Sequence, residues 1–130
     1  ERIRKNYICK IQIKKGISGT KELLQYFKKK TSIALMIDQR VSEGIKSNFF
    51  GKEALTTTIP AQFIKKFNIK IVPVHIERFK DNNFKIKFYE PIKFKSDETI
   101  DSITLTLNKI LEKMITKNPD QWIWTHNRWK

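Results

Sequence analysis

The sequence is short of most things that would disclose its chemistry at once. A single cysteine, Cys9, stands among 130 residues. No disulfide can form within the chain, no cysteine-based zinc site can be built, and a reducing compartment is the simplest environment. There are two histidines, His75 and His126, too few donors with one cysteine for a convincing metal site. The four glycines form no phosphate-cradling loop, and no G-x-S-x-G elbow is present. No apolar run approaches the ~20 residues needed to cross a bilayer, and nothing resembles a signal peptide. Acidic residues are scarce beside basic ones, 13 against 27, for a formal net charge of +14. Such a surplus attracts nucleic acid, anionic head groups or an acidic protein without choosing among them. An AT-rich coding bias, which favours Lys, Ile and Asn, competes with all three as its origin.

What is present is enough for one folded domain. Hydrophobic residues make up 39% of the chain and aromatics 12%, which supports a core at this length. Residues 9–14 alternate apolar and polar, as a half-buried strand does. Thr20 can cap a helix over 21–30 that puts Leu23, Leu24 and Phe27 on one face. The apolar run 33–37 reads as a strand buried on both sides, the habit of parallel sheets. Residues 40–55, with Gly44 and Gly51, read as a long loop. A helix follows over 58–67 with Pro60 in its first turn. Residues 69–88, broken by Asp81-Asn82-Asn83, form a hairpin, although Pro73 would normally mark an edge or a bulge. A last helix over 98–117 aligns Ile100, Ile103, Leu107, Ile110, Leu111 and Met114. The order implies an α/β fold, with a mixed, mainly parallel sheet flanked by helices.

Candidate chemistry gathers at two places. Asp38 and Gln39 follow the run 33–37 directly, and sites in open α/β sheets lie beyond the carboxyl ends of strands. They are either a polar pair at a pocket rim or a simple cap. Phe49 and Phe50 either wall an apolar ligand or plug the core. The second place is the tail, where Trp122, Trp124 and Trp129 lie within eight residues beside His126 and Arg128. Those rings either pack the last helix onto the sheet or sit at lipid head-group level. His75 reads as a packed strand residue, with Glu77 two positions on.

Three ordered motifs resemble one family. Asp38-Gln39, Glu43-Gly44, Asn48-Phe49-Phe50-Gly51, Ala54 and Thr56 resemble the central D-Q…F-F-G-x-x-A-x-T block of the lipid A biosynthesis (lauroyl/myristoyl) acyltransferases. Val72-Pro73-Val74 is similar to the family's next block, a short strand holding a proline. Pro119, Gln121, Trp122, Trp124, His126, Arg128 and Trp129 resemble its terminal P-x-Q-W-x-W-x-H-x-R-W signature. The resemblance implies a glycerolipid-acyltransferase-like fold and transfer of a fatty acyl group from acyl carrier protein or acyl-CoA. The acceptor it implies is a hydroxyl of a lipid A precursor in lipopolysaccharide biosynthesis, reached at the cytoplasmic face of the Gram-negative inner membrane. It implies no cofactor and no metal.

The family's catalytic histidine lies in an H-x-x-x-x-D/E motif, and neither His75 nor His126 begins one. The expectation is therefore that residues 1–130 form the C-terminal part of a single acyltransferase domain. The anchor and the catalytic motif would lie upstream of Glu1, leaving this stretch inactive alone. Within it the resemblance implies substrate-binding roles for Asp38, Gln39, Arg40, Glu43, Lys46, Phe49, Phe50, Gly51 and Thr56. Asp38 would line the reaction centre, Phe49 and Phe50 the acyl channel, and Arg40 and Lys46 would face acceptor phosphates. Pro73, Trp122, Trp124, His126, Arg128 and Trp129 are its structural signature. The basic surface then suits acidic acyl carrier protein, phosphorylated acceptor and an anionic membrane surface. The rivals are a nucleic-acid-binding module, with bases stacked along 84–89, and a non-catalytic interaction domain. Nucleic acid is not the expected partner, because no nucleic-acid motif accompanies the charge.

Overall fold

Two short hairpins carry the strands. The computed structural model describes residues 2–14 and 16–130, with Glu1 and Lys15 outside it. It divides into two compact units, Glu1–Leu35 and Met36–Lys130. In the first, α1 spans Arg2–Tyr7 and α2 spans Ile17–Lys28. Residues 9–14 are irregular rather than the expected strand. Gly16, not Thr20, occupies the N-cap of α2, and the Thr20 hydroxyl donates back to the Gly16 carbonyl at 3.2 Å.

The second unit holds β1 (Ile45–Phe49), β2 (Lys52–Thr56), α3 (Ile59–Phe67), β3 (Val74–Arg78), β4 (Phe84–Phe88) and α4 (Ile100–Ile115). Strand β1 pairs antiparallel with β2, and β3 antiparallel with β4, as separate two-stranded sheets. This corrects the expected mainly parallel sheet: among the described residues no parallel pair forms. A parallel pair needs a crossover of a dozen or more residues, whereas each of these pairs closes through a short local turn, at small entropic loss. The run 33–37 is no strand either. It has no ladder partner among the described residues, and Leu35 and Met36 are 41% and 81% exposed.

The β1–β2 hairpin replaces the long loop expected over 40–55. Phe49 pairs with Lys52, leaving Phe50-Gly51 as a two-residue turn in which both residues have positive φ, 51° and 78°. Such a turn matches the right-handed twist of the strands and normally takes Asn-Gly. A phenylalanine there is strained. It is held because its amide donates to Glu112 Oε1 at 2.7 Å, while the Gly51 amide donates to Asn48 Oδ1 at 3.1 Å. The β3–β4 hairpin and both long helices fall within a few residues of their expected positions. Pro73 stands just ahead of β3, where its missing N–H interrupts no ladder.

Helix α4 joins two cores. Its Ile103 and Leu107 pack with Ala61, Ile64 and Phe94. One end of the helix brings Ile115 and Leu111 against Phe49 and Ala54, with Trp122 and Trp129 closing over them. The Phe49 ring lies 5.8 Å from each of those tryptophans. Packing is thus the role of Trp122 and Trp129, while Trp124 is 49% exposed. The β3–β4 sheet leaves Val74, Ile76, Phe84, Ile86 and Phe88 on one exposed face. Among the described residues no helix is long and apolar enough to cross a membrane. Because Ile103 is fully buried, Ile103→Ala is expected to lower stability by about 2–5 kcal/mol in chemical denaturation of the intact protein. A shift under about 0.5 kcal/mol would contradict this account of the core.

Candidate functional site

The segment 38–44 is drawn against the end of β2 by small, specific contacts. The backbone bends at Asp38 and Gln39. The Val41 amide then donates to the Leu55 carbonyl at 3.3 Å, and the Gly44 amide turns back to the Val41 carbonyl at 2.9 Å. Gly44 lies so close to β2 that a Cβ would collide with the Thr56 carbonyl. Only glycine permits that approach. On the other side, the Arg40 amide donates to His126 Nε2 at 3.1 Å.

Beneath this loop lies Arg128, whose side chain is wholly buried. Its Nη1 donates to the Leu55 carbonyl at 2.6 Å and its Nη2 to Thr56 Oγ1 at 2.7 Å. The guanidinium also lies 5.2 Å from the centre of the Phe49 ring, a cation–π contact. Burial lowers the proton affinity of Arg128 from its ordinary value, and the nearby Asp38 carboxylate pulls it back up. An arginine stays charged under such shifts. Asp38 therefore acts as the long-range counter-charge of a desolvated cation.

Thr56 is used up by this arrangement. Its hydroxyl donates to the Ala54 carbonyl at 3.1 Å and accepts from Arg128 and, at 3.2 Å, from Asn108 Nδ2. At 1% exposure it has no capacity left for a substrate. Its hydroxyl is spent on partners within the protein. Phe49 is likewise fully enclosed. Phe50 beside it is half-buried, with its ring 6.3 Å from Trp124. Lys46 pairs with Glu53 across the hairpin at 3.4 Å, both well exposed. Glu43 and Gly51 are exposed; Asp38, Gln39 and Arg40 are half-buried. The structure thus gathers Asp38, Gln39, Arg40, Thr56, His126 and Arg128 at one corner. Lys46 lies along β1, and Gly51 and Phe50 mark the hairpin tip.

Sequence reasoning missed Asn108 and Glu112. Asn108 is fully buried and also donates to the Asn48 carbonyl at 3.0 Å, while Glu112 holds the strained turn. Both occur one helical turn apart on the face of α4 that carries Thr104, Leu111 and Ile115. A polar residue inside an apolar stripe was the available signal. Three buried atoms here have no hydrogen-bond partner: Arg40 Nε, Arg128 Nε and Asn108 Oδ1. Among the described residues no three His, Cys, Asp or Glu side chains are grouped to hold a metal.

The tail is a strap, and each residue of its signature has a partner. Gln121 accepts from the Arg78 amide and donates to the Arg78 carbonyl, both at 2.9 Å. Ahead of it, Asn118 donates to Glu77. Trp122 packs on Phe49, and Trp124 stacks edge-on against Trp122 at 4.5 Å while its indole donates to the Pro119 carbonyl at 2.6 Å. His126 holds Arg40, Arg128 holds β2, and Trp129 donates to the Phe49 carbonyl at 2.9 Å. The strap therefore joins two sheets that share no ladder. The sequence model for bacterial lipid A biosynthesis acyltransferases matches residues 3–130. The chain belongs to that family. No individual curated protein matches it significantly. In this member of the family the terminal signature ties the two hairpins together.

The buried polar cluster sets an expectation for stability. Thr56→Val keeps the shape but strips Arg128 and Asn108 of an acceptor, and a loss of about 3 kcal/mol or more should follow in urea denaturation. Thr56→Ser should keep most of the wild-type value. Equal stability of the two variants would show that the hydroxyl is dispensable.

Proposed function

We propose that this chain serves transfer of a fatty acyl group from acyl carrier protein, or acyl-CoA, to a hydroxyl of a lipid A precursor. The place of reaction is the cytoplasmic face of the bacterial inner membrane. Family membership over residues 3–130 is the observation that carries this reading. The corner formed by Asp38, Gln39 and Arg40 supports it, because it offers a carboxylate and a guanidinium on a pinned loop.

In such a transfer a base takes the proton of the acceptor hydroxyl, the oxygen attacks the thioester carbonyl, and donors stabilise the tetrahedral oxyanion. No H-x-x-x-x-D/E sequence occurs in these 130 residues, so the base is not assigned to them. We assign Asp38 to the acceptor side, with the Arg128 guanidinium near it. Arg40, half-buried on the same loop, is assigned to an acceptor phosphate; a guanidinium presents donors in a planar fork suited to phosphate oxygens. Phe50 and Gly51 form the hairpin tip, where an acyl chain would approach, while Lys46, near the other end of β1, is assigned with Arg40 to acceptor phosphates. The net charge of +14 favours an acidic carrier, a phosphorylated acceptor and an anionic membrane surface alike.

The intact protein, supplied with acyl-acyl carrier protein and a lipid A precursor, should form acylated product. Asp38→Asn should lower its turnover about tenfold or more, the scale of a lost contact to a charged group. Undiminished turnover would remove Asp38 from the site. Residues 1–130 alone should transfer nothing, and product from them would overturn the assignment of the base elsewhere.

A further inference from the structure

The contact between His126 and Arg40 makes a demand that the tail's packing role does not. His126 Nε2 accepts the Arg40 amide at 3.1 Å. An imidazole nitrogen accepts only when it bears no proton, so the ring must be neutral with its hydrogen on Nδ1. The doubly protonated ring has two donors and no acceptor. Placed against the Arg40 N–H, it would put two donors face to face. His126 is itself exposed, so protons reach it from solvent.

What the bond holds is the approach to Asp38. Beyond Arg40 the loop is anchored to β2 by the Val41 amide and by the close contact at Gly44. Arg40 lies two residues from Asp38, on the far side of the bends at 38 and 39. The strap supplies both restraints on this segment. His126 fixes its backbone, and Arg128, two residues further along, provides the positive charge that faces Asp38. The loop it binds carries Asp38, Arg40 and Glu43, and its own segment carries Arg128 and Lys130. Arginine and lysine keep their charge across the range in which histidines exchange protons.

We infer that His126 is a positioning residue for acyl transfer: its neutral ring, accepting the Arg40 amide, holds Asp38, Gln39 and Arg40 in their working placement, and protonation of the ring releases them. The inference rests on the acyltransferase reading for its kinetic consequence, but the clamp can be tested without it. A glutamine at this position reaches as far as Nε2 with a carbonyl oxygen that accepts at every pH.

Acyl transfer by the intact protein and its His126→Gln and His126→Ala variants should be followed between about pH 5 and 8, the span over which histidines change charge. Wild type should lose turnover on the acidic side. His126→Gln should retain turnover at neutral pH and fall less steeply than wild type on the acidic side, the remaining decline being that of the base. His126→Ala should fall about three- to tenfold in kcat even at neutral pH, the equivalent of one hydrogen bond. An acidic decline as steep in His126→Gln as in wild type overturns the inference, as does full turnover by a folded His126→Ala protein. NMR decides the clamp independently of activity. The Arg40 amide resonance should move with the ionisation of His126 in wild type and stay fixed over the same range in His126→Gln. An Arg40 amide indifferent to that ionisation overturns the clamp whatever the kinetics. If no transfer is detected in wild type while the amide still titrates, the acyltransferase reading fails and the clamp stands.

Discussion

A guanidinium taken wholly out of water must find its partners inside the protein, and Arg128 finds them at the end of β2. The arrangement around it follows from that requirement. The Leu55 carbonyl receives both Arg128 and the Val41 amide, so the cation and the loop bearing Asp38 are brought to one oxygen. Thr56 must present a hydroxyl rather than a methyl, and Gly44 must lack a side chain for the loop to come this near. Desolvating a cation is expensive unless its hydrogen bonds are met. The cluster is therefore intolerant of single changes to its partners.

The same tail solves a second problem. Isolated two-stranded hairpins are marginal in water, and this unit has two that do not share a sheet. Helix α4 supplies a common apolar face, and the strap supplies directional bonds to each hairpin. Gln121 reaches the backbone of β3, while Arg128 and Trp129 reach β2 and β1. Aromatic area excludes water, and the polar contacts set the register. A tryptophan-rich segment in which exposed positions such as Ile123 alternate with bound ones is what such a strap needs.

Membership of the acyltransferase family changes what the polar corner means without altering its physics. Asp38, Gln39 and Arg40 sit on a segment held from two sides, and pre-positioning of this kind is how a scaffold contributes to group transfer. Phe49 and Thr56 belong to its support. They are enclosed and saturated, and they matter by keeping the neighbouring groups still.

Some of this was legible in the chain alone. The apolar spacing along α3 and α4 fixed two helices, because burial of one face at a 3.6-residue period leaves a direct trace in sequence. The turn residues at 81–83 marked the second hairpin, and the tail's three tryptophans, with Pro119, Gln121, His126 and Arg128, identified the family. Other features depended on contacts distant in sequence. The Phe50-Gly51 turn looked like a loop because a phenylalanine at positive φ is stable only with Glu112 of α4 at its amide. The run 33–37 resembled a buried strand, but a strand exists only where a second backbone meets its hydrogen bonds. Asn108 gained its role only when Asn48 and Thr56 were brought beside it. Local periodicity is written into the order of residues. Which polar groups meet across 50 or more positions is settled only when the chain closes, because each must find a partner before it can leave water.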